Sequence, residues 1–389
     1  MLNSTARRSN INTSSITQRG GKLYGVGKAG QVIDVCTPIM SLCAAVKKWI
    51  DDYEDSKHKD SKHKDSICLY ILTHNHKLQT MILHTVEEAN TLLQMLQTKS
   101  SHKTNTLFVA KEFTNKSKAN IKFHEELSIY LKWPQSVIKA NIVTKFGIPI
   151  MLNNNARATA ASSLVGVVIN QNNSKQYFII KETCTKTLHI LWLHHSLIDA
   201  EFVKLTTHIL EFLCSVQHLR GESCDDVKPD NIMRCGDRYK VVDFNHFNVK
   251  HVSATNMSRI YNPLHMLFIL GAKAGFALLL SLLSTYYVKR FGGDTTNTNA
   301  DSTYLREAFS YYALKFTGKN TLAERRNVYY NLRHLTGTFE LGAMLHSILQ
   351  NNKHVQRSHR YQQYVAFVST LYKTIPTDAF EQWKYVCSL

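Results

Sequence analysis

Apolar and polar positions follow two different rhythms along the chain. Residues 20–36 hold two short apolar runs about a Gly-rich turn and predict a strand, a turn and a second strand. Next comes a stretch in which Cys43, Val46, Ile50 and Tyr53 recur at helical spacing. "ICLYILTHNHKLQTMILH" (67–84) has two apolar runs about a polar turn, the pattern of a hairpin, and "VEEANTLLQMLQ" after it has helical spacing. "TLFVAKEF" (106–113) predicts a strand and "IKFHEELSIYLKW" an amphipathic helix, while "NIVTKFGI" and "YFIIKET" predict further strands. From Thr185 onward the pattern is mainly helical, with "VVDF" a local strand among helices.

A strand-rich part before a helix-rich part predicts an α+β fold of two unequal lobes, and a cleft between lobes is a natural place for a ligand. The expected organisation is a disordered tail over 1–19, an N-terminal lobe over 20–184 with an insertion at about 37–105, and a helical lobe over 185–389. Inside the insertion, "DSKHKDSKHKDS" (Asp55–Ser66) repeats the unit DSKHK in tandem, which predicts a solvated low-complexity loop. Leu264–Val288 is apolar over roughly the ~20 residues that span a bilayer. Lys273 interrupts it, so a buried core helix is expected rather than a membrane span.

Composition narrows the partners. Lys and Arg number 47 against 29 Asp and Glu, a formal net charge of +18 that favours anionic partners. A nucleic-acid face would need more than charge, and the chain has neither an RNP-like aromatic motif nor finger spacing. The eight Cys form no CxxC pair and read as reduced thiols of an intracellular protein, cytoplasmic or nuclear. The His residues at 74, 76, 194 and 195 lack the paired partners of a zinc site.

The densest chemistry lies in "CDDVKPDNIMRCGDRYKVVDFNHF", Cys224–Phe247. Transfer of the ATP γ-phosphoryl group needs a carboxylate near the attacking hydroxyl, oxygen ligands for Mg²⁺ and a cation on the phosphates. Asp226 suits the first task, Asn231 and Asp243 the second, and Lys228 the neutralisation of the migrating group.

On these residues the chain resembles the protein kinase superfamily. "DDVKPDN" stands where that family has its catalytic loop, and "VVDFN" where it has its metal-binding Asp-Phe-Gly. Upstream, "GVGKAGQV" places Gly25, Gly27, Gly30 and Val32 in the spacing of the family's glycine-rich loop, where a missing Cβ lets backbone approach phosphates. Lys228, two places after Asp226, is the serine/threonine form of the loop. The resemblance covers about residues 20–290, apart from the insertion, and is similar to the divergent kinases of large DNA viruses.

It implies a bilobal fold, with a small antiparallel-sheet lobe carrying one main helix and a larger helical lobe. It also implies ATP and Mg²⁺ as cofactors and Ser/Thr hydroxyls of proteins as acceptors. Two lysines compete to hold the phosphates, Lys47 in "AAVKKW" and Lys111 in "FVAKEF". Lys111 is favoured, because Glu126 of the following helix can pair with it without an intervening insertion; Glu125 is the fallback partner. Glu182, at the end of "YFIIKET", would meet adenine.

Departures from the family pattern are visible as well. Cys224-Asp225 replaces His-Arg, and Asn245 replaces the Gly after Asp-Phe. No Asp opens the 264–288 segment, which leaves open how the catalytic loop is braced. Two rival readings follow from these departures and from the charge: a pseudokinase acting as a nucleotide-binding or scaffold protein, and a basic nucleic-acid-binding protein.

Overall fold

The computed structural model describes residues 23–26, 31–34, 36–56, 67–72, 78–83, 85–100, 108–113, 118–132, 148–150, 162–171, 174–182, 184, 186–188, 197–218, 227–242, 263–282 and 302–388. The chain divides into two units, Met1–Gln135 with Lys145–Thr183, and Ser136–Thr144 with Cys184–Leu389.

The first unit is built on one antiparallel sheet. Its elements are β1 (Leu23–Val26), β2 (Gln31–Asp34), α1 (Cys36–Ser56), β3 (Ile67–Leu72), β4 (Leu78–Ile82), α2 (Val86–Ser100), β5 (Phe108–Glu112), α3 (Ala119–Lys132), β6 (Ile148–Ile150), β7 (Ser162–Gln171) and β8 (Ser174–Glu182). The strand order is β1-β2-β5-β8-β7-β3-β4, with β6 also paired to β7. Successive side chains on a strand point to opposite faces, and both faces here are covered. Phe108, Ala110, Phe178 and Ile180 pack with Leu42, Val46 and Trp49 of α1 and Ala89 and Leu92 of α2. On the other face Phe113, Tyr177 and Ile179 pack with Phe123 and Leu127 of α3. The expected insertion is therefore largely folded: α1, β3, β4 and α2 are part of the sheet and its cover. Residues 57–66, all of the DSKHK repeat but its first two positions, lie outside the described residues.

The second unit is mainly helical. A small sheet of order β11-β10-β9 joins β9 (Lys186–Thr187), β10 (Ile232–Cys235) and β11 (Arg238–Val241). The helices are α4 (Asp199–His218), α5 (Pro263–Leu282), α6 (Ser302–Phe316), α7 (Leu322–Leu332), α8 (Leu335–Asn351), α9 (Lys353–Gln356), α10 (Tyr361–Val368) and α11 (Pro376–Ser388). α8 is buried on every side, from Leu335 through Leu345 and again at Ser347–Leu349. A helix without a solvent face is the centre of its domain. Gly342 lets α6 approach it, since a Cβ at that position would overlap the Tyr304 hydroxyl. Trp383 of α11 closes the far side, with its ring 5.0 Å from Phe367 of α10 and 6.2 Å from Phe202 of α4.

The long apolar segment becomes α5, whose first half is buried at Leu264, Met266, Leu267 and Phe268. It is broken at Gly271, where φ is 78°, a conformation that costs a side-chain-bearing residue free energy. Arg325 of α7 donates to the Phe268 carbonyl at 2.9 Å, one of the acceptors that the break leaves without its helical partner. Among the described residues no helix is long and apolar enough to cross a membrane.

The cysteines require a correction. Cys184 and Cys235 form a disulfide, with Cα atoms 4.6 Å apart, where eight reduced thiols were expected. Pairing of β9 with β10 brings the two together, and sequence spacing could not reveal it. Cys43, Cys68, Cys214 and Cys387 are free thiols.

Candidate functional site

Strand register assembles the first set of residues. Gly25 of β1 lies opposite Val32 of β2, Val32 opposite Lys111 of β5, and Lys111 opposite Ile179 of β8, a single row across four strands. Two residues along β8, Lys181 lies opposite Val109. Residues two apart on a strand share a face, so Lys111 and Lys181 both project with Ile179 toward the face that α3 covers. The helix buries Phe123 and Leu127 there and carries Glu126 between them.

Glu126 meets both lysines. Lys111 Nζ donates to its Oε2 at 2.7 Å, and Lys181 Nζ donates to its Oε1. The three side chains are only 13%, 10% and 16% exposed for Lys111, Lys181 and Glu126, so solvent screens the contacts weakly. Burial alone would raise the carboxyl pKa, but the two ammonium groups outweigh it and hold Glu126 down at about 2. Glu125, the fallback, is exposed and takes no part.

Lys47 is corrected. It stands on α1, not on a strand, and is exposed, because Leu42, Val46 and Trp49 of that helix turn inward to the core. Glu182 ends β8 opposite Phe108 and is half-buried. Gly27 and Gly30 lie outside the described residues.

A second set stands in the helical unit. Pro229–Asn231 form a single 3₁₀ turn after Lys228, which is half-buried. Pro229 opens the turn, its fixed φ suited to that place. Asn231 is buried. Its N–H donates to the Lys228 carbonyl at 2.9 Å, and its carbonyl accepts from the Val242 N–H at 2.9 Å. The β10–β11 register, Ile232 opposite Val241, thus continues to Asn231 and Val242. Asp226 and Asp243 lie outside the described residues; their chain neighbours Val227 and Val242 are both fixed by hydrogen bonds.

Val227 is held by a residue that motif reading missed. Its N–H donates at 2.7 Å to Oε2 of Glu340, a buried carboxylate on α8. This hydrogen bond ties the chain at Val227, two residues before the 229–231 turn, to α8. α4 holds the hairpin: Tyr239 donates its hydroxyl to Glu201 at 2.7 Å and its N–H to His208 Nδ1 at 3.2 Å, and Arg238 pairs with Glu211.

Lys181 was the other omission. Strand alternation puts it in the inward row of Tyr177 and Ile179, and a lysine in an apolar row was the available signal. For Glu340 no local pattern existed, since it acts on a residue 113 positions away. No protein-family model matches the chain, and no curated protein matches it significantly.

Proposed function

We propose that the chain is a serine/threonine protein kinase. The observation that carries this reading is the Lys111–Glu126 ion pair, formed between β5 and the helix that follows it, in the strand row that includes Gly25 and Val32. An ammonium held by a carboxylate keeps donors for phosphate oxygens, and holding it over the phosphates is the task that phosphoryl transfer sets a lysine.

Each residue then has a role. Asp226 accepts the proton of a Ser or Thr hydroxyl as its oxygen bonds to the γ-phosphorus; the bond from that phosphorus to the β–γ bridging oxygen breaks, and ADP leaves. Lys228 offsets the charge on the migrating group, and Glu182 meets adenine. Asn231 and Asp243 offer the oxygen ligands that a hard cation prefers, and the hairpin register that ties Asn231 to Val242 supports their acting together. Mg²⁺, when bound, supplies neutralisation of the phosphate oxygens. The basic excess of +18 suits acidic protein partners.

The test is transfer of the labelled γ-phosphate of ATP to the chain itself and to basic and acidic test proteins. Wild type is expected to transfer, and Asp226→Asn to lose at least ~100-fold, as removal of a general base does. ATP binding without transfer would replace this reading by a nucleotide-binding scaffold. Salt-dependent binding of DNA or RNA with no nucleotide binding would replace it by a nucleic-acid-binding protein.

A further inference from the structure

We propose that Lys181 is a second positioning lysine of the nucleotide site, holding the Glu126 carboxylate by the oxygen that Lys111 does not use. The inference rests on the kinase reading above and concerns how that site fixes its phosphate-binding lysine.

The terminal torsion of a glutamate is soft and two-fold, so a carboxylate held at one oxygen can still swing about it. Here the two oxygens are held from neighbouring strands, Oε2 by Lys111 of β5 and Oε1 by Lys181 of β8. The plane of the carboxylate is set by both, and the Lys111 ammonium is confined to one side of it. An ammonium has three donors, so Lys111 can keep Glu126 and still offer protons to a phosphate oxygen in a fixed direction.

The position of Lys181 argues that its charge is used. It continues the inward row of Tyr177 and Ile179 beside Phe123 and Leu127, where an apolar side chain would pack without a charge to bury. Replacing buried ion pairs by apolar residues of similar volume is often neutral for stability, so folding alone does not call for a lysine there. What an apolar residue would not supply is the second hold on Glu126.

The experiment is equilibrium binding of ATP and of adenosine, each with Mg²⁺, to the full chain and to Lys181→Met. The Met variant is expected to bind ATP about tenfold more weakly and adenosine as well as wild type does, because only the triphosphate depends on the direction of Lys111. Lys181→Gln carries the same expectation and takes its place if the Met variant does not fold. Unchanged ATP affinity, or equal losses for ATP and adenosine, would overturn the inference and leave the kinase reading standing. Failure of wild type to bind ATP at all would overturn both.

Discussion

The two units fix their candidate residues by different physics. In the sheet unit, side-chain charge does the work: Lys111, Glu126 and Lys181 hold one another across β5, α3 and β8. In the helical unit, main-chain groups do it: the Asn231 carbonyl takes the Val242 N–H, and the Val227 N–H is taken by Glu340. Charge fixes the position of a side-chain group, whereas main-chain hydrogen bonds fix the path of a chain segment.

This contrast breaks most readily at Glu126. Glu126→Ala leaves two buried ammonium groups without their shared carboxylate and is expected to destabilise the sheet unit by about 3–5 kcal/mol, read from chemical denaturation with the helical unit followed separately by hydrogen exchange. Loss below ~1 kcal/mol would mean that the pair is solvated in solution.

Acid should separate the units next. Glu126 is held at about 2 by Lys111 and Lys181 against burial, below its unfolded value near 4.5, so its contribution is present above pH ~4.5 and is lost as pH falls toward 2. His346 of α8 is pushed down to about 4 by burial, and burial lowers His208 and His334 in the same unit. His346 stays neutral in the fold while the unfolded chain takes up a proton, so the helical unit loses stability as pH falls from ~6.5 to ~4, by on the order of 3 kcal/mol, and the lowered His208 and His334 act in the same direction. Hydrogen exchange against pH should show α8 loosening at a higher pH than β5; the reverse order would contradict this assignment.

Smaller effects sharpen the helical side. Glu340→Ala removes the side-chain acceptor of the buried Val227 N–H and is expected to cost about 1–3 kcal/mol, read from chemical denaturation; under the kinase reading, transfer activity falls as well. Gly342→Ala should cost about 1–3 kcal/mol by overpacking α8 against Tyr304, measured as a shift in melting temperature. Lys47→Ala is expected to change stability by less than ~0.5 kcal/mol and to leave ATP affinity as in wild type, since that side chain is an exposed one on α1.

Legibility in the sequence followed the range of the interaction. The β1–β2 hairpin, the β3–β4 hairpin, β5, α3 and β8 each announce themselves by local period, and Lys111 with Glu126 could be paired because strand and helix are adjacent in sequence. β7 was not anticipated. Leu164, Val165, Val167, Val168 and Ile169 are all buried, because helices cover both faces of the sheet, and a strand buried on both faces loses its alternation. "NIVTKFGI" predicts a strand, but 141–147 lie outside the described residues and β6 begins at its last residue, Ile148. The apolar content of 264–288 predicts a buried core helix, and the described first half of α5 is buried; α8, buried on all sides, is not signalled in the same way, because small and polar core residues such as Thr336, Thr338 and Ser347 interrupt its apolar pattern. Glu340 and the Cys184–Cys235 bond depend on packing and pairing between distant segments, which no window of sequence contains.

Calorimetric titration of the full chain with ATP, with and without Mg²⁺ and repeated on Asp243→Ala, tests the central claim most directly. The account predicts ATP binding that Mg²⁺ strengthens in wild type and no longer strengthens in Asp243→Ala. Absence of ATP binding, or binding indifferent to both Mg²⁺ and the substitution, would contradict it.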